Sequence, residues 1–126
     1  MRTKRPPLLL LAVVLASLAS LAVAACGRTT TVGNGRTLQI ALGEYRVAPQ
    51  DVRAQTGLLT IFVHNYGRLT HDLVITLDGR TQVATKPIAP GQTEALDAAL
   101  GPGHYLMSSS ILSDQALGAY GTLIVH

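Results

Sequence analysis

Few residues in this 126-residue chain have side chains suited to metal or nucleophilic chemistry. There is one cysteine, Cys26, and it lies at the end of an apolar N-terminal run, so no thiol remains in the part that folds. Four histidines, His64, His71, His104 and His126, and a late methionine, Met107, are the other candidate metal donors. Borderline metals take imidazole, and a thioether is a weak, soft ligand. His71, Ser109 and Asp114 also supply the residue types of a base, a nucleophile and an orienter. No strained strand-to-helix elbow or oxyanion-hole motif accompanies them, so the chain is read as a non-enzyme.

The first 25 residues have the layout of an export signal. Arg2, Lys4 and Arg5 precede a Leu- and Ala-rich run from Leu8 to Ala22, and Val23, Ala24 and Ala25 lead into Cys26. The run is shorter than the ~20 residues a spanning helix requires. Its end resembles a bacterial lipobox, which implies that Cys26 is lipidated and becomes the mature N-terminus. Two or three acyl chains hold a protein firmly at a bilayer, where one holds it marginally. The expected location is therefore outside the cytoplasm, lipid-anchored to the bacterial cell membrane.

Removing residues 1–25 also removes the apparent basicity. Three of the ten Lys and Arg residues are lost, leaving seven against seven Asp and Glu. A formally neutral domain gives no argument for nucleic acid. Residues 26–36 hold Gly, Thr, Asn and Arg with one apolar side chain, Val32, and read as a lipidated end and flexible tether. Residues 37–126 form the single domain.

Within that domain, short apolar stretches are separated by turn residues at close intervals, the pattern of an all-β antiparallel sandwich. Candidate strands are Thr37–Leu42, Tyr45–Val47, Val52–Ala54, Leu58–Asn65, Asp72–Leu77, Gln82–Thr85, Glu94–Leu100, His104–Ser108 and Thr122–His126. The breaks carry turn chemistry at Asn65-Tyr66-Gly67, Asp78-Gly79, Pro90-Gly91 and Gly101-Pro102-Gly103. Alternation sends Leu59, Ile61 and Val63 inward. The same alternation sends His64 and His104 outward; Met107, two residues before Ser109 on the same strand face, reads as a packing residue. Ser113–Gly118 reads as a helical turn with Ser113 or Asp114 as its cap.

Three segments resemble the small cupredoxins. Tyr45-Arg46-Val47-Ala48-Pro49 with Val52 and Gly57 resembles an early strand pair. Asn65-Tyr66-Gly67-Arg68-Leu69-Thr70-His71 resembles the N-x-G turn leading to the first copper ligand. Gly103–Val125 resembles the closing strand, ligand loop and G-T-L-x-V strand. The resemblance implies a Greek-key β-sandwich of about 7–8 strands with a helical turn near 113–118. It also implies that the remaining ligands, Cys, His and Met, fall at Ser109, Asp114 and Ala119. Only His71 survives from that set. Type 1 copper depends on a thiolate and two imidazoles in a trigonal set, so no cofactor is expected.

The resulting expectation is a binding or accessory module at the membrane, with a membrane or envelope protein as partner. Leu69, Ile111, Leu112, Leu117 and Tyr120 are its candidate interaction surface; alternatively, Ile111, Leu112 and Leu117 turn inward to fill the space left by a metal. His71 reads as a loop-end histidine bonded to Ser109 or Asp114. The alternative function is copper binding or electron transfer at a non-standard site around His71. A Ser/His/Asp hydrolase is the remote third reading.

Overall fold

Leu59, Ile61 and Val63 are buried on one face of a nine-residue strand, and the opposite face is partly open. This period-two pattern recurs along the chain and builds two facing sheets. The computed structural model describes residues 27–111 and 117–126. Its strands are β1 (Thr29–Thr31), β2 (Thr37–Gly43), β3 (Arg46–Ala48), β4 (Asp51–Ala54), β5 (Gly57–Asn65), β6 (Val74–Leu77), β7 (Arg80–Ala84), β8 (Thr93–Leu100), β9 (Gly103–Ser108) and β10 (Tyr120–Val125).

One sheet has six strands in the order β1-β4-β10-β9-β6-β7, and the other has four in the order β3-β2-β5-β8. Between them lies one core that includes Leu38, Ile40, Val52, Leu73, Ile75, Ile88 and Leu123. Each fully buried aliphatic side chain contributes about 1.5–3 kcal/mol over its exposed state. Met107 is wholly enclosed in this core, as its strand position predicts.

Three expectations need correction. The sheets are mixed rather than antiparallel: β2 runs parallel to β5, and β4 runs parallel to both β1 and β10. Crossovers that change sheets bring strands of like direction side by side, which alternation within one strand does not reveal. The described residues hold ten strands, against about 7–8 expected.

The segment 26–36 is also not a free tether throughout. Thr29–Thr31 pairs in parallel with Asp51–Arg53, the Val32 amide donates to the Arg53 carbonyl at 2.8 Å, and the Val32 side chain is buried. The edge of β4 offers unpaired backbone groups, and satisfying them requires no apolar pattern in the added strand. The three threonines are accordingly all exposed.

Turn geometry sets the remaining boundaries. Asp78 (φ 50°) and Gly79 (φ 75°) are both left-handed, as the two-residue turn of the β6–β7 hairpin requires. The sixth strand begins at Val74 instead of Asp72, because the Leu73 amide donates to Thr85 Oγ1 and Asp72 turns its side chain to another task. The helical turn expected at 113–118 lies mostly outside the described residues, as do Cys26, Leu112 and Asp114. Among the described residues no helix is long and apolar enough to cross a membrane.

Candidate functional site

The end of the sandwich that holds His71 is organised by Asn65. Its side chain is fully buried at the end of β5. Oδ1 accepts from the Gly67 amide at 2.8 Å, while Nδ2 donates to the carbonyls of Leu69 and Ile88, each at 2.8 Å. One side chain thus fixes the 65–69 turn and ties it to the segment before β8. A second turn supports it: the Gly91 amide donates to the Asn65 carbonyl, and Gly91 has φ 77° after Pro90.

His71 follows from that frame. Its backbone exchanges two hydrogen bonds with Ile88, at 3.1 and 2.7 Å, and its side chain is 1% exposed. Nε2 lies 3.5 Å from Oε1 of Glu44, which stands in the turn between β2 and β3. The amides of Arg68 and Leu69 donate to the same oxygen, at 2.5 and 3.0 Å. Backbone N–H groups of Glu44 itself, Arg68 and Leu69, with a smaller share from His71, hold the Glu44 carboxyl down at about 2 from an ordinary 4.5. Gly67 makes the approach feasible. A Cβ there would stand 2.6 Å from Glu44 Oε1 and 2.8 Å from His71 Nε2.

Ser109 begins the loop between β9 and β10 and is as buried as His71. Its hydroxyl donates to Asp72 Oδ1 at 3.1 Å and accepts from the Asp72 amide at 3.4 Å. Ser110 adds two bonds to the same carboxylate, from its amide to Oδ1 at 2.7 Å and from its hydroxyl to Oδ2 at 2.5 Å. The Ser109 amide also donates to the Ala119 carbonyl, joining the two ends of the loop. Ala119 presents a buried methyl group.

Structure therefore places His71, Ser109 and Ala119 at one pole, and Asp114 lies outside the described residues. Two carboxylates that sequence reasoning passed over complete the arrangement. Glu44 meets His71 from a turn 27 residues earlier, and Asp72, expected to open a strand, holds Ser109 and Ser110. Adjacency to His71 was the available signal for Asp72; Glu44 had none.

The other histidines stay apart. His104 and His126 are exposed, whereas His64 is half-buried, with Nδ1 2.5 Å from Thr93 Oγ1 and its ring 4.1 Å from that of Tyr66. Among the described residues no group of three or more His, Cys, Asp or Glu side chains is placed to hold a metal ion. A trigonal type 1 set would find one imidazole at His71, a hydroxyl engaged with a carboxylate at Ser109, and no donor atom at Ala119. That donor chemistry does not fit type 1 copper.

Around this pole, Leu69 and Tyr120 are about half exposed and Leu117 somewhat more, and Tyr45 and Tyr66 are also open to solvent. Ile111 is half-buried, and Leu112 lies outside the described residues. The exposed Leu117 side chain does not fill the space beside Ala119.

No protein-family model and no curated protein sequence matches this chain. Solved structures do. Dithionite-reduced auracyanin from the photosynthetic bacterium Roseiflexus castenholzii is similar with a TM-score of 0.68 and 22% identity, over 75% of this chain and 99% of that one. Auracyanin A, a blue copper protein from Chloroflexus aurantiacus, is similar with a TM-score of 0.65 and 16% identity, over 76% and 99%. Rusticyanin from Thiobacillus ferrooxidans is similar with a TM-score of 0.62 and 16% identity, over 78% and 82%. These likenesses cover about three quarters of this chain, and on that ground the chain has the cupredoxin fold.

Proposed function

We propose that the protein is a membrane-anchored, extracytoplasmic cupredoxin-like protein that has given up type 1 copper and works as a binding or accessory module. One observation carries the reading. At the position where the resemblance puts the copper thiolate stands Ser109, its hydroxyl committed to Asp72, whose carboxylate is further engaged by Ser110. A hard, neutral hydroxyl is a poor substitute for the soft thiolate on which the copper couple depends. Function belongs to the site and not to the fold.

The interaction surface is the pole itself, with Leu69, Leu117 and Tyr120 open to solvent. An apolar rim around a polar, hydrogen-bonded centre suits docking of a membrane or envelope protein. Anchoring through Cys26 would keep this surface near the bilayer. Ser109 is buried and donates to Asp72, which supports a structural hydroxyl and not a nucleophile.

A second reading has its own observation. Glu44 Oε1 beside His71 Nε2 supplies a carboxylate and an imidazole within 3.5 Å, the beginning of a harder metal site. Two donors fall short of the three or four a stable site uses. The experiment that separates the readings is a calorimetric titration of the mature chain with Cu(I) and Cu(II), with the visible spectrum recorded in parallel. The accessory reading expects weak binding and no strong visible band; stoichiometric tight binding abolished by His71→Ala would favour copper.

A further inference from the structure

Beside the His71 network, the β2–β3 turn opens onto a cleft of about 450 Å3, lined in part by Arg28, Thr30, Tyr45, Arg46, Gln50 and Gly118. Among the described residues its lining includes Arg28 and Arg46 and no acidic residue. Among the described residues neither arginine is paired with an acidic side chain. Two arginines lining one cleft, with Glu44 turned toward His71 and the Arg68 and Leu69 amides, concentrate positive charge on that wall.

Strand β1 and the turn are what bring them together. Arg28 enters just before β1, which is held parallel to β4, and Arg46 begins β3 across the turn. Tyr45 between Glu44 and Arg46 has φ 60°, a left-handed conformation that is unfavourable for a non-glycine residue. Gly118, at φ 110°, packs against that strained turn, and a Cβ there would lie 3.1 Å from the Tyr45 carbonyl. The Gln50 side-chain Nε2 donates to the Tyr120 carbonyl at 3.4 Å. Backbone strain retained at a cleft wall is a feature of ligand clamps.

We propose that this cleft binds a phosphate-class anion, with the forks of Arg28 and Arg46 taking its oxygens and the Tyr45 hydroxyl as a further donor. Two planar forks approaching from separate segments of the chain suit the tetrahedral spread of phosphate oxygens better than the two coplanar oxygens of a carboxylate. The volume exceeds that of a bare phosphate and leaves room for an ester substituent. A soluble phosphate ester and an anionic phospholipid headgroup share this chemistry. Arg28 stands two residues beyond Cys26, a reach of about 7 Å of extended chain, so the headgroup source rests on the anchoring proposed above while the cleft does not.

The test uses the full chain purified in non-ionic detergent and titrated calorimetrically with glycerol 3-phosphate, then reconstituted into phosphatidylcholine vesicles with or without phosphatidylglycerol for melting. Arg28→Gln and Arg46→Gln are the variants, with Arg80→Gln on β7 as control and circular dichroism as the check on folding. Saturable binding weakened about tenfold or more by each cleft variant, and unchanged by Arg80→Gln, assigns a soluble ester. A melting temperature raised by phosphatidylglycerol and returned to the phosphatidylcholine value by the cleft variants, without glycerol phosphate binding, assigns a lipid headgroup. No saturable binding and no phosphatidylglycerol-dependent shift, or effects that both cleft variants leave intact, would overturn the site. Copper binding is unaffected by any of these outcomes, so failure here leaves the accessory reading standing.

Discussion

Asp72 Oδ1 accepts a hydrogen bond from the Ser109 hydroxyl at 3.1 Å. The same carboxylate takes both the amide and the hydroxyl of Ser110, so one buried acid fastens the start of the β9–β10 loop to the segment that leads into β6. Charge-assisted bonds of this kind are stronger than neutral ones, and a buried acceptor network that is fully satisfied rigidifies the loops it joins. A polar clasp of this sort orders the pole by hydrogen bonding alone.

Asp72→Ala removes the acceptor for three donors and leaves a buried hydroxyl and amide to find new partners. The expected loss is about 2–4 kcal/mol in urea unfolding, and Ser109→Ala, which leaves both Ser110 bonds in place, costs about 1 kcal/mol. Equal small effects of the two would contradict the clasp.

Glu44 makes the pole sensitive to acid. Its folded value of about 2 lies below its ordinary 4.5, so its contribution to stability is fully present above pH 4.5 and is lost as pH falls toward 2. The difference in melting temperature between wild type and Glu44→Gln should therefore narrow across that window and stay constant above it. A difference independent of pH would remove the carboxylate from the account.

Glycine positions separate close approach from free space. A Cβ at Gly121 would stand 2.5 Å from the Gln50 carbonyl oxygen, a backbone atom whose bond to the Thr122 amide pins β4 to β10. Gly121→Ala is expected to cost about 2–3 kcal/mol, and Gly67→Ala, which displaces the ends of the Glu44 and His71 side chains, about 1 kcal/mol. Gly101→Ala meets nothing within 4 Å and should stay within about 0.5 kcal/mol of wild type. Urea unfolding of the three variants orders them.

Cys26→Ala should release the protein from the membrane fraction or block its processing, as fractionation and intact mass would show. Unchanged retention and mass would remove the lipid anchor.

Much of the fold was legible because its strands obey local rules. Leu59, Ile61 and Val63 alternate with polar or half-exposed neighbours, and Asp78-Gly79 and Pro90-Gly91 mark turns whose conformations few other residues adopt. The first strand was not legible, since Thr29–Thr31 pairs through backbone alone and presents no apolar face. At the site, the resemblance to the cupredoxins pointed to His71 and Ser109, whereas it pointed to neither of the carboxylates that meet them. Glu44 is bound by amides of Arg68 and Leu69, and nothing in a turn of that composition announces which distant N–H groups it will meet. Leu117 was ambiguous for a related reason: outside a strand, alternation assigns no face.

A cupredoxin fold that works without type 1 copper is distinguished from a copper carrier by titrating the mature chain with Cu(I) and Cu(II) under the visible spectrum. A copper-free module shows weak, non-stoichiometric binding, no intense visible band, and a melting temperature that a chelator leaves unchanged. Tight one-to-one binding that disappears in His71→Ala, accompanied by a chelator-dependent fall in melting temperature, would contradict the copper-free reading.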